Sequence, residues 1–151
     1  MDPRTVDRFR ATSRQYSDSS ILMHEAIARR AGLSGTDHKY LGFIVEHGRM
    51  TAGELAKATG LTTGAVTGLI DRLVDKKLVE RLADANDRRK VLIVPVSANV
   101  KKLMHPLFKE LGERTRELIG SFTEKEIKVI DRYFRSAIAI MDETRERLNK
   151  P

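Results

Sequence analysis

Apolar residues recur along most of this chain at helical spacing, and the exceptions to that spacing are the informative part. From about Thr5 to Ala31 the pattern is amphipathic, with Val6, Phe9, Tyr16, Ile21, Leu22, Met23 and Ile27 set among polar residues. Gly32 and Gly35 in "GLSG" are natural terminators. Thr36 then caps a second helix that carries Tyr40, Leu41, Phe43, Ile44 and Val45 to Gly48. In "TAGELAKATG", Thr51 and Glu54 form a T-x-x-E capping box, and Gly60 ends the short helix. Thr62 caps the next, "TTGAVTGLIDRLVDKK", whose Val66, Leu69, Ile70 and Leu73 keep the i, i+3, i+4, i+7 rhythm.

The rhythm changes once. "LVERL" and "VLIVPV" are short β runs on either side of "ADANDRRK", and Pro95 closes the second, so they predict a two-stranded hairpin. Ser97 opens a long helix to about Ile119, with a bend expected at Pro106, which has no amide proton to donate. A second capping box, Thr123 with Glu126, starts the last helix, striped by Ile127, Ile130, Phe134, Ala137, Ile138, Met141 and Leu148. The predicted fold is mainly α with a small β hairpin: a winged helix-turn-helix flanked by helices at both ends. A chain of 151 residues fits one domain. Within it, residues 36–97 form the winged lobe, and 1–35 and 98–151 form the flanking helices.

Composition narrows the chemistry. There is no Cys, which excludes a disulfide framework, a thiolate metal site and a thiol nucleophile. With 5% aromatic residues and no Trp, the core must be mainly aliphatic. "MDPRTVDRFR" alternates charges without an apolar centre, and no apolar run approaches the roughly 20 residues of a membrane span. A cytoplasmic protein is expected. The four histidines, His24, His38, His47 and His105, have no ligand spacing, and "HEAIA" lacks the second His of a zinc pair because Ala28 stands there. No nucleophile elbow or phosphate-binding loop is present, so neither catalysis, a metal nor a cofactor is expected. The net charge of +7 favours an acidic partner, but weakly, because acids and bases are interleaved throughout.

The sharper signal lies in the helix around "TTGAVTG". Its outward face carries Thr63, Gly64, Thr67, Gly68 and Arg72. A Thr hydroxyl and methyl suit base edges in a major groove, and two glycines permit close approach at a cost of about 1 kcal/mol each in helix propensity. The helices capped by Thr51 and Thr123 place Glu at the third position, whereas the one capped by Thr62 places Ala65 there. An acid would suit the helix dipole but repel phosphate; leaving it out exposes backbone N–H groups to anions. The plain alternative is that Ala is a good helix former. A hairpin that follows such a helix is a wing. Arg88, Arg89 and Lys90 at its tip would lie beside a duplex, an Arg in the minor groove, and Lys90 and Arg81 nearer phosphates. Asp87 can orient a neighbouring Arg.

With those residues in view, the chain resembles the MarR family of winged-helix transcription regulators, most specifically in "GELAKATGLTTGAVTGLIDRLVDKKLVERLADANDRRKVLIVPVS", residues 53–97. "LIDRL" resembles the end of that family's recognition helix, and Asp87–Arg88–Arg89 its Asp-x-Arg wing signature. The resemblance implies that Arg89 is the wing arginine and Asp87 its brace. Two positions depart. Gly68 stands where many members have Arg, which leaves some direct base reading either missing or shifted to Arg72. Lys77 stands where many have Gly, which requires a left-handed backbone there.

The site expected from all this comprises Thr51, Thr62, Thr63, Gly64, Ala65, Thr67, Gly68, Arg72, Arg81, Asp87, Arg88, Arg89 and Lys90, facing double-stranded DNA. The flanking helices either complete one chain's core or pair with a second copy; the resemblance implies a homodimer. It also implies a repressor, and a small aromatic or lipophilic effector held between the dimer helices and the winged lobe. Tyr16, Met23, His24, Tyr40 and Phe43 are the candidates to line that site, each of them read more readily as plain core. The competing function is an architectural, protein-binding or RNA-binding winged helix without sequence-specific regulation.

Overall fold

The structure is a computed structural model that describes residues 2–85, 87 and 89–149. Helix α1 (Pro3–Arg30) opens at Asp2, whose side chain accepts the Arg4 amide, with Pro3 at a position where its missing N–H is no loss. It closes on Gly32 at φ 68, with the Leu33 amide returning to the Ala28 carbonyl at 2.9 Å. Helix α2 (Gly35–His47) is capped by Ser34, whose hydroxyl accepts the Asp37 amide at 3.0 Å. The sequence put that cap on Thr36. Gly35 does not break the chain but is already helical, so Thr36 falls inside the first turn.

Strand β1 (Met50–Thr51) leads into α3 (Ala52–Thr59) through the expected capping box, with the Glu54 amide 3.2 Å from Thr51 Oγ1 and the Thr51 amide 2.7 Å from Glu54 Oε2. After Gly60, α4 (Thr63–Asp75) is capped by Thr62. Lys77 then takes φ 58, and the Leu78 amide reaches the Leu73 carbonyl at 2.9 Å. The left-handed residue required of this Lys is there, in the same closing motif that Gly32 serves for α1.

Strands β2 (Val79–Ala83) and β3 (Val91–Pro95) form the hairpin. The sheet has three strands rather than the expected two, in the order β1-β3-β2, all antiparallel. Met50 pairs with Ile93 on one side of β3, and Arg81 pairs with Ile93 on the other. Two residues are too few to show an alternating pattern, so β1 left no trace in the sequence.

Helix α5 (Ser97–Gly120) runs without interruption through Pro106, and α6 (Glu124–Leu148) starts at the Thr123–Glu126 capping box. The chain divides into two compact units, residues 1–107 and 108–151. The first holds the core, in which Ile44, Leu55, Val66, Leu69, Ile70, Leu73 and Ile93 are fully buried. Ala28 of α1 and Leu33 just beyond it join that core, and Val100, Leu103 and Met104 of α5 pack against it. The second unit has no buried residue among those described.

Candidate nucleic-acid interface

At the amino end of α4, Thr62 Oγ1 accepts the Ala65 amide at 3.3 Å, and no acid lies in the first turn. Thr62, Thr63, Gly64, Ala65 and Thr67 are exposed, and Gly68 is half-buried. The opposite face, Val66, Leu69, Ile70 and Leu73, is the buried one, as the periodicity required. The Thr67 hydroxyl donates to the Thr63 carbonyl at 3.0 Å. Its proton is used within the helix, so it offers a groove its methyl group and its lone pairs. A Cβ at Gly64 would meet nothing within 4 Å, so no packing inside the protein requires that glycine.

The first turn of α3 differs. There the Glu54 carboxyl is held below its ordinary pKa by the backbone and hydroxyl bonds from Thr51, with a smaller contribution from the nearby Lys90 charge. Thr51 gives its hydroxyl proton to Glu54 Oε2 at 2.9 Å and accepts the Glu54 amide. Among the candidate contacts Thr51 is thus engaged in a cap.

Arg72 and Arg81 are also engaged. Arg72 donates from Nε to Asp37 Oδ2 at 3.0 Å and from Nη2 to Oδ1 at 2.7 Å. Asp37 is the buried charged residue among the described residues, with a side chain 4% exposed against 52% for Arg72. The guanidinium holds the Asp37 carboxyl below its usual range against the opposing effect of burial, and Arg72 is itself raised by the same bond. Arg81, on β2, donates from Nη2 to Asp71 Oδ1 at 2.6 Å. The acids Asp37 and Asp71 were not singled out in the sequence. Asp37 lies 35 residues from Arg72, and an acid in the first turn of a helix reads as an ordinary dipole partner.

The wing tip is built on its own acids. Asp84 Oδ1 accepts the Asp87 amide at 3.1 Å, and the Lys90 amide donates to the Asp87 carbonyl at 2.9 Å. Asp87 Oδ1 accepts both the Arg89 amide at 3.1 Å and Arg89 Nε at 3.3 Å. Arg89 is therefore oriented while its side chain stays 93% exposed. Lys90 is exposed beside it, and Arg88 lies outside the described residues.

Residues 31–90 match the MarR family. The uncharacterized HTH-type transcriptional regulator YcgE of Bacillus subtilis (strain 168) is 44% identical over 137 residues, which is 91% of this chain and 88% of that protein. The chain belongs to the MarR family. A MarR family protein from Bacillus stearothermophilus superposes with a TM-score of 0.72 at 22% identity, over 94% of this chain and 99% of its own. A mutant of S. aureus MepR, solved bound to an oligodeoxyribonucleotide, gives 0.59 at 21% identity, over 88% and 97%. The protein is a MarR family transcriptional regulator with that family's DNA-binding winged-helix fold, and not an enzyme.

In this MarR family chain the residues named for an effector are distributed along α1 and α2. Tyr16 and His24 are exposed; Met23, Tyr40 and Phe43 are half-buried. Tyr40 and Phe43 pack against the core of the first unit, and the Phe43 ring stacks on His47 at 4.1 Å. His24 Nδ1 and His38 Nε2 come within 3.1 Å of each other. Burial, and then the charge of His24, pull the His38 pKa down. Sequence spacing missed this pair because the histidines sit on different helices. No three acids or histidines gather as a metal site among the described residues, and no helix there is long and apolar enough to cross a membrane.

Proposed function

We propose that the protein is a homodimer that binds a pseudo-palindromic site on double-stranded DNA through α4 and the wing, and that it represses transcription by occupying a promoter. The observation that carries this reading is the amino end of α4. Its five exposed residues, Thr62, Thr63, Gly64, Ala65 and Thr67, are small and uncharged, and its amide groups carry no acid in front of them. Such a surface suits a major groove, with a braced Arg89 on the same unit for the neighbouring minor groove or backbone. That MepR was solved bound to an oligodeoxyribonucleotide supports a nucleic-acid partner for this fold.

The second copy is supported by the second unit, where Leu118, Val129, Ile138, Ile140 and Met141 are exposed on long amphipathic helices. Two copies on a two-fold axis set their recognition helices about 34–36 Å apart, one turn of the duplex. An effector at α1 and α2, aromatic or lipophilic, acts by binding the DNA-free form better, and a coupling of about 1–3 kcal/mol weakens DNA binding 5- to 150-fold.

Selection of bound fragments from a random duplex library tests the reading. A pseudo-palindrome with half-sites about one helical turn apart is expected. Salt-sensitive binding with no enriched motif refutes it.

A further inference from the structure

The geometry points to Asp37 and Arg72 as the positioning pair of the recognition helix: Arg72 serves DNA binding through the seat it gives α4, not by touching a base or a phosphate. The inference rests on α4 being the DNA-facing helix, as proposed above.

Five observations support it. The Nε and Nη2 edge of Arg72 lies in a fork with both oxygens of Asp37, and a bidentate fork fixes direction as well as distance. Asp37 is fixed from behind, since its amide is the one that Ser34 caps at the start of α2. Its carboxyl is buried and held in the charged form, so it needs a cation at that point. Arg72 lies more than two turns beyond Thr63, roughly 13 Å along the axis, away from the amino-terminal turns with which such helices read bases. Its remaining nitrogen, Nη1, lies back along the helix, 3.4 Å from where a Cβ of Gly68 would stand.

Apolar packing alone does not set this seat. Val66, Leu69, Ile70 and Leu73 tolerate small rolls and slides of a helix, because burial is non-directional. An ion pair on the helix flank removes that freedom. Asp71, the adjacent residue, is tied to Arg81 of the wing, but both members of that pair are half-exposed, and such surface pairs contribute little. The bidentate fork to α2, whose carboxylate is buried, is therefore the one expected to matter.

Asp37→Asn, Arg72→Gln, Arg72→Lys and the Asp37→Asn/Arg72→Gln double variant test this on the full chain. Hydrogen exchange needs no DNA: amides of α4 in the Asp37→Asn variant should exchange roughly tenfold faster or more, with the α6 amides unchanged. Unchanged α4 protection in folded Asp37→Asn and Arg72→Gln overturns the inference, whatever the protein binds. Against the duplex selected by the wild type, both single variants should lose affinity about 5- to 150-fold, and the double variant should be no worse than the weaker single. The preferred base at every position and the slope of affinity against salt should stay as in the wild type. Arg72→Lys should fare no better than Arg72→Gln, since an ammonium keeps the charge but not the fork.

Direct contact gives the opposite pattern. Arg72→Gln would then relax one base position or lower the salt slope by about one, Arg72→Lys would largely restore binding, and Asp37→Asn would do neither. That result overturns the inference while leaving a DNA-binding regulator in place. A wild type that selects no motif sinks the proposed function instead, and the exchange measurement still decides the positioning pair.

Discussion

The two units of this chain use similar helices to opposite ends. In residues 1–107, the apolar stripes of α2, α3 and α4 are spent on one cluster closed by the small sheet, and side chains such as Ile44, Leu55 and Leu73 lose all contact with solvent. In residues 108–151, the stripe of α6 is as regular, yet Ile138 remains 56% and Met141 68% exposed. Periodicity thus identifies a face that will be covered but not by what. The first unit answers that from within one chain; in the proposed function the second is covered by another copy.

Substitutions on the two units should separate these cases. Ile138→Glu is expected to have the largest effect, shifting sedimentation to the monomer and lowering operator affinity by roughly 10²–10⁴-fold as two linked half-sites become independent. Circular dichroism should show the winged unit intact. Leu73→Ala, in the other unit, should leave assembly unchanged and cost about 2–5 kcal/mol in denaturant unfolding at fixed protein concentration. A variant at 138 that stays dimeric would break the contrast.

Smaller changes sharpen it within the winged unit, where α3 and α4 start differently. Ala65→Glu gives α4 the acid that α3 has in Glu54. Thermal stability should rise, by about 0.3–1 kcal/mol, while operator affinity falls roughly tenfold as a carboxylate meets phosphates. Equal affinity would mean that this end of α4 does not face DNA.

Acid should act on the winged unit through His38. Its folded pKa lies below the ordinary 6.5, so as pH falls through that value the unfolded chain takes up the proton first. Stability is then complete above about 6.5, declines below it, and levels off beneath the folded pKa. His38→Asn should flatten this decline in urea titrations between neutral and mildly acid pH. The smallest expected effect is a gain: Lys77→Gly removes a side chain from φ 58 and should stabilise the chain by about 0.5–1 kcal/mol in the same titrations.

Much of this was legible because local chemistry reports locally. Thr51 and Thr123 announce their capping boxes within four residues, and Thr62 its cap, whereas the left-handed turn at Lys77 was legible only through the family resemblance, as a position where many members carry Gly. What stayed hidden was set by distance or by brevity. Strand β1 is only two residues long, and the Ser34 cap depended on whether Gly35 would end one helix or begin another. Arg72 looked like a base reader because the face of α4 is visible in sequence, whereas the acid beside it arrives from α2 through tertiary folding.

Thr51 belongs to two structures at once. It is the last residue of β1, paired with Leu92 of the wing's central strand, and it is the N-cap of α3. The hairpin is therefore not a loose arm but is pinned to the helix-turn-helix partway along its central strand. The connection from β3 to the first turn of α3 runs through Thr51 itself, without passing through α4. The hairpin and the helix-turn-helix thus share an anchor, and a lesion at Thr51 should slacken both together.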